Sequence, residues 1–252
     1  MKILAIAAVT VREALSRKVQ VNLLLFGVLL VVASFLASAL TIGEQHRIIA
    51  DLGLSAMALV STLLAAFLGA GLVAGDLERR VIYAVVAKPI SRSDYLLGRY
   101  VGLAGALLLN LLAMAAVLAL LLCFESGSLA PLDRALGAAV VLVGAQTLVV
   151  AAVGVMFSAF TTTTLAAIFT LAIAMAGHLT NDMRALWKGG AEWLPRLVWY
   201  AIPNLSALTL NESVIYRAQL GWSALLPGAY AACYAATALA LGAVIFERRD
   251  FR

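Results

Sequence analysis

The sequence predicts an all-α integral membrane protein with six transmembrane helices, and three observations lead to that reading. Of the 252 residues, 64% are hydrophobic and only 12% are charged, where a soluble domain carries about 25% charged residues; mean hydropathy is +1.02. The apolar residues are gathered into runs close to the ~20 residues that a bilayer requires. Lys and Arg collect at the ends of those runs, alternately many and few, which is how orientation in a membrane is set. The net charge of +5 therefore belongs to a membrane topology, and nucleic acid is not an expected partner.

Taken in order, Met1–Gln20 does not read as a cleavable signal peptide, because its apolar stretch is short and runs into Arg12 and Glu13. On helical spacing Ile3, Leu4, Ala7, Ala8, Val11, Ala14 and Leu15 form one stripe, opposite Lys2, Arg12, Glu13, Arg17 and Lys18. That pattern describes an amphipathic helix in the interface plane over residues 1–20, with a polar lead-in to the first span as the alternative. Val21–Ile42 is the first span, Gly43–Asp51 a short polar loop, and Leu52–Ala74 the second span, ending in Gly71-x-x-x-Gly75, a spacing that suits close helix approach.

Residues 75–98 are the one long charged interruption of the first half, with Asp76, Glu78, Arg79, Arg80, Lys88, Arg92 and Asp94. Such a segment belongs in water. A helix from Asp76 to Ala87 is expected to stop at Lys88, before Pro89. Ser91 is placed to cap a new helix, with Asp94 three residues on. The result is a compact knob on the membrane surface.

Arg99–Cys123 is the third span, Phe124–Arg134 a loop, Ala135–Phe160 the fourth span, Thr161–Thr164 a tight turn and Leu165–Leu179 a short fifth span. The stretch 181–222 is too polar to cross and holds all four tryptophans, Trp187, Trp193, Trp199 and Trp222. It reads either as an aromatic anchor at the headgroup level or as an outer gate in which Trp199, Pro203 and Asn204 take part. Gly221–Phe246 is the sixth span. With the N-terminus inside, twelve of the 18 basic residues fall on the inner side (Lys2, Arg12, Arg17, Lys18, Arg79, Arg80, Lys88, Arg92, Arg99, Arg248, Arg249 and Arg252), so both termini are expected in the cytoplasm.

No catalytic constellation is present: the sequence lacks HExxH, GxSxG and GxxxxGK[ST]. Cys123 and Cys233 stand alone in apolar runs, and His46 and His178 are far apart, so no metal site is expected. No carboxylate or lysine lies mid-span, as an ion-coupled pump would need. Polar residues within spans include Ser61, Asn110, Gln146 and Thr170. They serve either as interhelical hydrogen-bond glue or as marks on a substrate path.

Four stretches resemble the permease subunit of type-2 ABC exporters, in particular the branch called multi-copper-enzyme maturation permeases. They are TVREALSRK (Thr10–Lys18), DLERRVIYAVVAKPISRSDYLLGRYVG (Asp76–Gly102), IPNLSALTLN (Ile202–Asn211) and FERRDF (Phe246–Phe251). KPISR followed by YLLGRY is the most specific part, and Val81 departs from a Thr common in the family. The resemblance covers the whole chain, 1–252, as a single permease domain. It implies the six-helix type-2 exporter fold, with short re-entrant helices on the outer side between spans five and six. It implies ATPase coupling through Arg12, Glu13, Arg17, Asp76, Glu78, Arg79, Arg80, Lys88, Pro89, Ser91 and Arg92, with ATP and Mg bound by a separate ABC ATPase subunit and no cofactor in this chain. A second permease copy, membrane lipid and an extracytoplasmic accessory protein are the other implied partners, in a bacterial cytoplasmic membrane. Competing expectations are a permease-like subunit that transmits ATP-driven force without moving a substrate, and a stand-alone secondary transporter.

Overall fold

A backbone segment withdrawn from water must satisfy its own N–H and C=O groups, and the helix does this within one run of chain. The computed structural model describes residues 2–14, 25–32, 45–78, 91–126, 134–179, 202–208 and 225–248, and they are almost wholly helical. The helices are α1 (Lys2–Ala14), α2 (25–32), α3 (Gln45–Glu78), α4 (Arg92–Ser126), α5 (Arg134–Ser158), α6 (Thr163–His178) and α7 (Leu225–Arg248), with a 3-10 turn at Ser206–Leu208 before α7. Four of them, α3, α4, α5 and α7, are long and apolar enough to cross a membrane. This is a mostly helical, multi-pass membrane protein.

Several boundaries differ from those read in the sequence. The polar loop expected at Gly43–Asp51 is largely helix, because α3 starts at Gln45 and nothing between Gln45 and Asp51 breaks it. At the other end α3 runs on to Glu78, so the first residues of the expected knob are the last turn of a long helix. Its 34 residues extend about 51 Å at 1.5 Å per residue, well beyond a ~30 Å hydrocarbon core. The third span likewise starts early, at Arg92, where Ser91 caps it as expected: the Asp94 amide donates to Ser91 Oγ (3.1 Å) and the Tyr95 amide to the Ser91 carbonyl (3.1 Å). The expected fifth span is α6, whose 16 residues reach about 24 Å. The first span lies outside the described residues except for 25–32, as do Arg17, the residues 79–90 and the four tryptophans.

Helix α5 is the centre of the bundle and packs on α3, α4, α6 and α7. Its apolar window is 67% buried, against 33% for α4 and for α7, whose outer faces remain apolar and exposed. The packing forms two main apolar clusters. One joins the Glu78 half of α3, the Arg92 half of α4, the Ser158 half of α5 and α7. The other joins α2, through Phe26 and Leu30, to the opposite halves of α3, α4 and α5.

Close helix approach occurs, but not at Gly71 and Gly75. Gly75 has nothing within 4 Å of where a Cβ would sit, and Gly71 meets only the Thr163 methyl at 3.9 Å. The near contact is Gly69 against Gly154, where a Cβ on Gly69 would lie 3.0 Å from the Ala151 carbonyl. The spacing was right for the helix but named the wrong face.

Helix α1 is held against α4. Among its residues 6–13 whose burial is described, Ala7 and Thr10 are buried, while Ala8, which the sequence stripe would bury, and Val9 are exposed. The contact turns on Gly102 of α4, where a Cβ would fall 2.5 Å from Thr10 Cβ and 2.6 Å from the Ala7 carbonyl. Gly102→Val is therefore expected to push α1 off α4 and cost about 1–3 kcal/mol by overpacking. Thermal unfolding in detergent, with protease sensitivity of α1 as a second readout, checks this; Gly75→Ala, which fills open space, should leave both unchanged.

Candidate functional site

Two polar assemblies interrupt the apolar packing, one at the end of the bundle that carries Glu78 and Arg92, termed the inner end after the expected topology, and one midway along the helices. The inner assembly is built on Arg99, about two turns into α4. Its guanidinium meets Asp76 of α3 (2.5 Å) and Glu13 of α1 (2.8 Å), and donates to Thr10 Oγ1 (3.2 Å) and the Leu72 carbonyl (3.3 Å). Tyr95, one turn before Arg99, donates its hydroxyl to the Asp76 carboxylate. Arg99 and Asp76 are nearly buried, with 9% and 11% of their side chains exposed, whereas Glu13 is 54% exposed. One cation thus ties three helices together, with a buried bond to α3 and a wet one to α1.

Asp76 was expected on the water-facing knob. The structure instead buries it, because α3 continues past Gly75 and turns that side chain toward Tyr95 and Arg99. Glu78, two residues on, is exposed and engages α6: Thr163 donates to Glu78 Oε1 through its amide (3.3 Å) and its hydroxyl (3.0 Å). The natural N-cap of α6, Thr162, makes no side-chain capping bond, so Glu78 caps the helix from another element and places a negative charge at its positive end. Arg92 does the reverse for α7, donating to the carbonyls of Phe246 (3.4 Å) and Glu247 (3.2 Å) at its negative end. Arg12 is exposed on α1. Arg17, Arg79, Arg80, Lys88 and Pro89 lie outside the described residues.

The mid-depth assembly lies where one apolar cluster gives way to the other. Ser61 and Thr62 on α3, Asn110 on α4 and Gln146 on α5 all fall at that changeover, and all are buried. Gln146 Nε2 donates to Thr62 Oγ1 (3.1 Å) and lies 3.1 Å from Nε2 of His178, at the end of α6. Asn110 Nδ2 reaches only the Met114 sulfur, at 3.6 Å. Three oxygens from three helices have no hydrogen-bond partner among the described residues: Ser61 Oγ, Asn110 Oδ1 and Gln146 Oε1. Thr170 does not join this level. It sits two turns into α6 and returns its hydroxyl to the Ala166 carbonyl (2.6 Å).

The segment 202–208 closes over the end of α6. The Gly177 carbonyl accepts from the Leu205 amide (3.2 Å) and Ser206 Oγ (3.3 Å), and the His178 carbonyl from Ser206 Oγ (2.7 Å). Gly177 permits this, since a Cβ there would lie 2.5 Å from the Pro203 carbonyl. Pro203 is buried. The Asn204 amide donates to the Tyr230 hydroxyl of α7 (2.9 Å), and its side-chain oxygen caps the 3-10 turn at Ala207 (3.2 Å). Of the three residues expected at an outer gate, Pro203 and Asn204 meet here, and Trp199 lies outside the described residues.

Sequence reasoning passed over Tyr95, Arg99, Thr163 and His178. Arg99 and His178 were read as an inside charge and a span-end residue, since their partners lie 23 and 32 positions away. A carboxylate ending one span and an arginine opening the next is the one signal that pointed to the inner assembly.

The contrast in burial sets an expected order of cost. Asp76→Ala leaves the Arg99 charge buried without its inner partner and is expected to lower stability by about 3 kcal/mol. Glu13→Ala removes an exposed partner and should cost about 0–1 kcal/mol. Unfolding of both variants in the same detergent checks the order; equal costs would mean that α1 and α3 are held by Arg99 to the same degree.

No curated protein matches the chain. Its sequence does match the family described as ABC-2 family transporter protein, over residues 3–251. A bundle with at least four long apolar helices, braced by charged groups at their inner ends, is consistent with a permease-like role, and the chain belongs to the ABC-2 membrane transporter family.

Proposed function

We propose that this chain is the transmembrane subunit of an ATP-driven exporter whose ATPase is a separate polypeptide. The observation that carries the reading is the anchoring of the two helix ends that flank residues 79–90 in the chain. This basic stretch, with Arg79, Arg80 and Lys88, joins the two long helices α3 and α4, and its two roots are the points where other helices are fastened. Asp76 and Glu78 precede it and engage α4 and α6; Arg92 and Arg99 follow it and engage α7, α1 and α3. A partner that pulled on this loop would move five helices at once. The family match supports a transport role.

In this reading the ATPase binds ATP and Mg and docks on 79–90 and on the exposed face of α1 around Arg12. The inner ends of the helices lie in the cytoplasm of a bacterial cell, and six spans with both termini inside complete the topology. A second copy of the chain faces the first, and the substrate passes along the level of Ser61, Asn110 and Gln146, with Pro203 and Asn204 near its outer exit. Thr170, satisfied within its own helix, is left out of that path. The apolar faces of α4 and α7 supply the contacts for lipid and for the second copy.

An affinity pull-down of detergent-solubilised protein with mass spectrometry is expected to recover an ABC ATPase. The triple substitution Arg79→Glu, Arg80→Glu, Lys88→Glu should abolish that recovery while leaving thermal stability unchanged. Full recovery with the reversed charges would remove the docking surface from the argument.

A further inference from the structure

The same reading, that a partner moves the 79–90 loop, leaves open how motion at the inner surface reaches the outer one. We infer that Glu78 is a positioning residue that fastens the root of this loop to α6, and that α6 acts as a rod carrying the loop's displacement to the 202–208 segment. The inference rests on the proposed function and adds a route to it.

Both ends of α6 are held by hydrogen bonds from other elements. At the inner end the fastening is Glu78 Oε1 on the amide and hydroxyl of Thr163, and the helix has no side-chain cap of its own there. At the far end the Gly177 and His178 carbonyls hold Leu205 and Ser206. The body between is stiff. It is an unbroken 16-residue helix whose small residues Ala166, Ala167, Ala174 and Gly177 are buried, and Ala166 and Ala167 pack directly on Ala70 of α3. An axial or tilting shift imposed at Thr163 has no Pro or Gly to absorb it before Gly177. At Gly177 the close Pro203 carbonyl leaves no slack. Movement of α6 therefore displaces 202–208, and through the Asn204–Tyr230 bond it is felt by α7.

Glu78 is exposed, so its replacement can be made without emptying a core. The test uses full-length protein co-purified with its ATPase in liposomes, carrying Cys123→Ser and Cys233→Ser, with Ala207→Cys as a reporter on the exposed side of the 3-10 turn. The rate at which a membrane-impermeant maleimide modifies that thiol is measured with and without a non-hydrolysable ATP analogue. The parent is expected to show a nucleotide-dependent rate. Glu78→Ala should shrink the nucleotide effect by about fivefold or more, the range of a lost coupling, with ATPase recovery unchanged. Glu78→Gln, which keeps an oxygen acceptor, should restore most of it, and Thr163→Val, which removes the hydroxyl donor alone, should act in the direction of Glu78→Ala but less. A parent without nucleotide response, or a Glu78→Ala variant that responds as the parent does, overturns the inference. Loss of ATPase recovery in Glu78→Ala makes Glu78 a docking residue and also overturns it, while leaving the exporter reading standing. Absence of an ATPase from the parent preparation removes both.

Discussion

A guanidinium set among apolar helices has to be paid for by fixed partners, and in this protein those partners decide how the inner half is assembled. Arg99 of α4 reaches α1 and α3 with its charge matched by Asp76 and Glu13; its terminal nitrogens also donate to Thr10 Oγ1 and the Leu72 carbonyl, while its buried Nε has no hydrogen-bond partner among the described residues. Removing a buried charge's partner costs far more than never having built the pair, so none of the three helices can leave this arrangement cheaply. The position of α1 against Gly102, the exit of α3 toward 79–90 and the entry into α4 are all set within reach of this one side chain.

The mid-depth level follows a different rule. There the polar groups are neutral and sparsely paired, and three of their oxygens have no partner among the described residues although they are almost fully buried. Neutral amides and hydroxyls bind each other by about 1 kcal/mol in such surroundings, enough to set a register between α3, α5 and α6 but not to prevent sliding. The inner ends are fixed by charge, and the middle is only guided. The two levels therefore differ in the strength of the constraint they place between helices.

Much of this was legible in the sequence. The apolar runs, the capped start at Ser91, the short helix α6 and the polar residues at 61, 110 and 146 can all be read from spacing and composition, because hydrophobic length and capping are local properties. The misplaced features are non-local. Asp76 reads as a solvated charge until Arg99 is known to face it across two helices, and Gly71 reads as a contact glycine until α5 is seen to approach Gly69 instead. The tilt and rotation of a helix are set by what it packs on, and a periodic stripe constrains them only to within a residue or so. This is why α1 buries Ala7 and Thr10 and leaves Ala8 outside.

The fastening of helix ends by residues from other helices carries the argument further. Glu78 and Arg92 each complement a helix dipole that is not their own, and they stand at the two ends of the same loop. A cap from within the same helix stabilises only that helix. A cap from another element adds a constraint between the two, since either one that moves must take the other along or give up the bond. Glu78 thus binds the end of α3 to the start of α6, and Arg92 binds the start of α4 to the end of α7. The segment 202–208, bonded to the end of α6 and to Tyr230 near the start of α7, links the opposite ends of those same two helices.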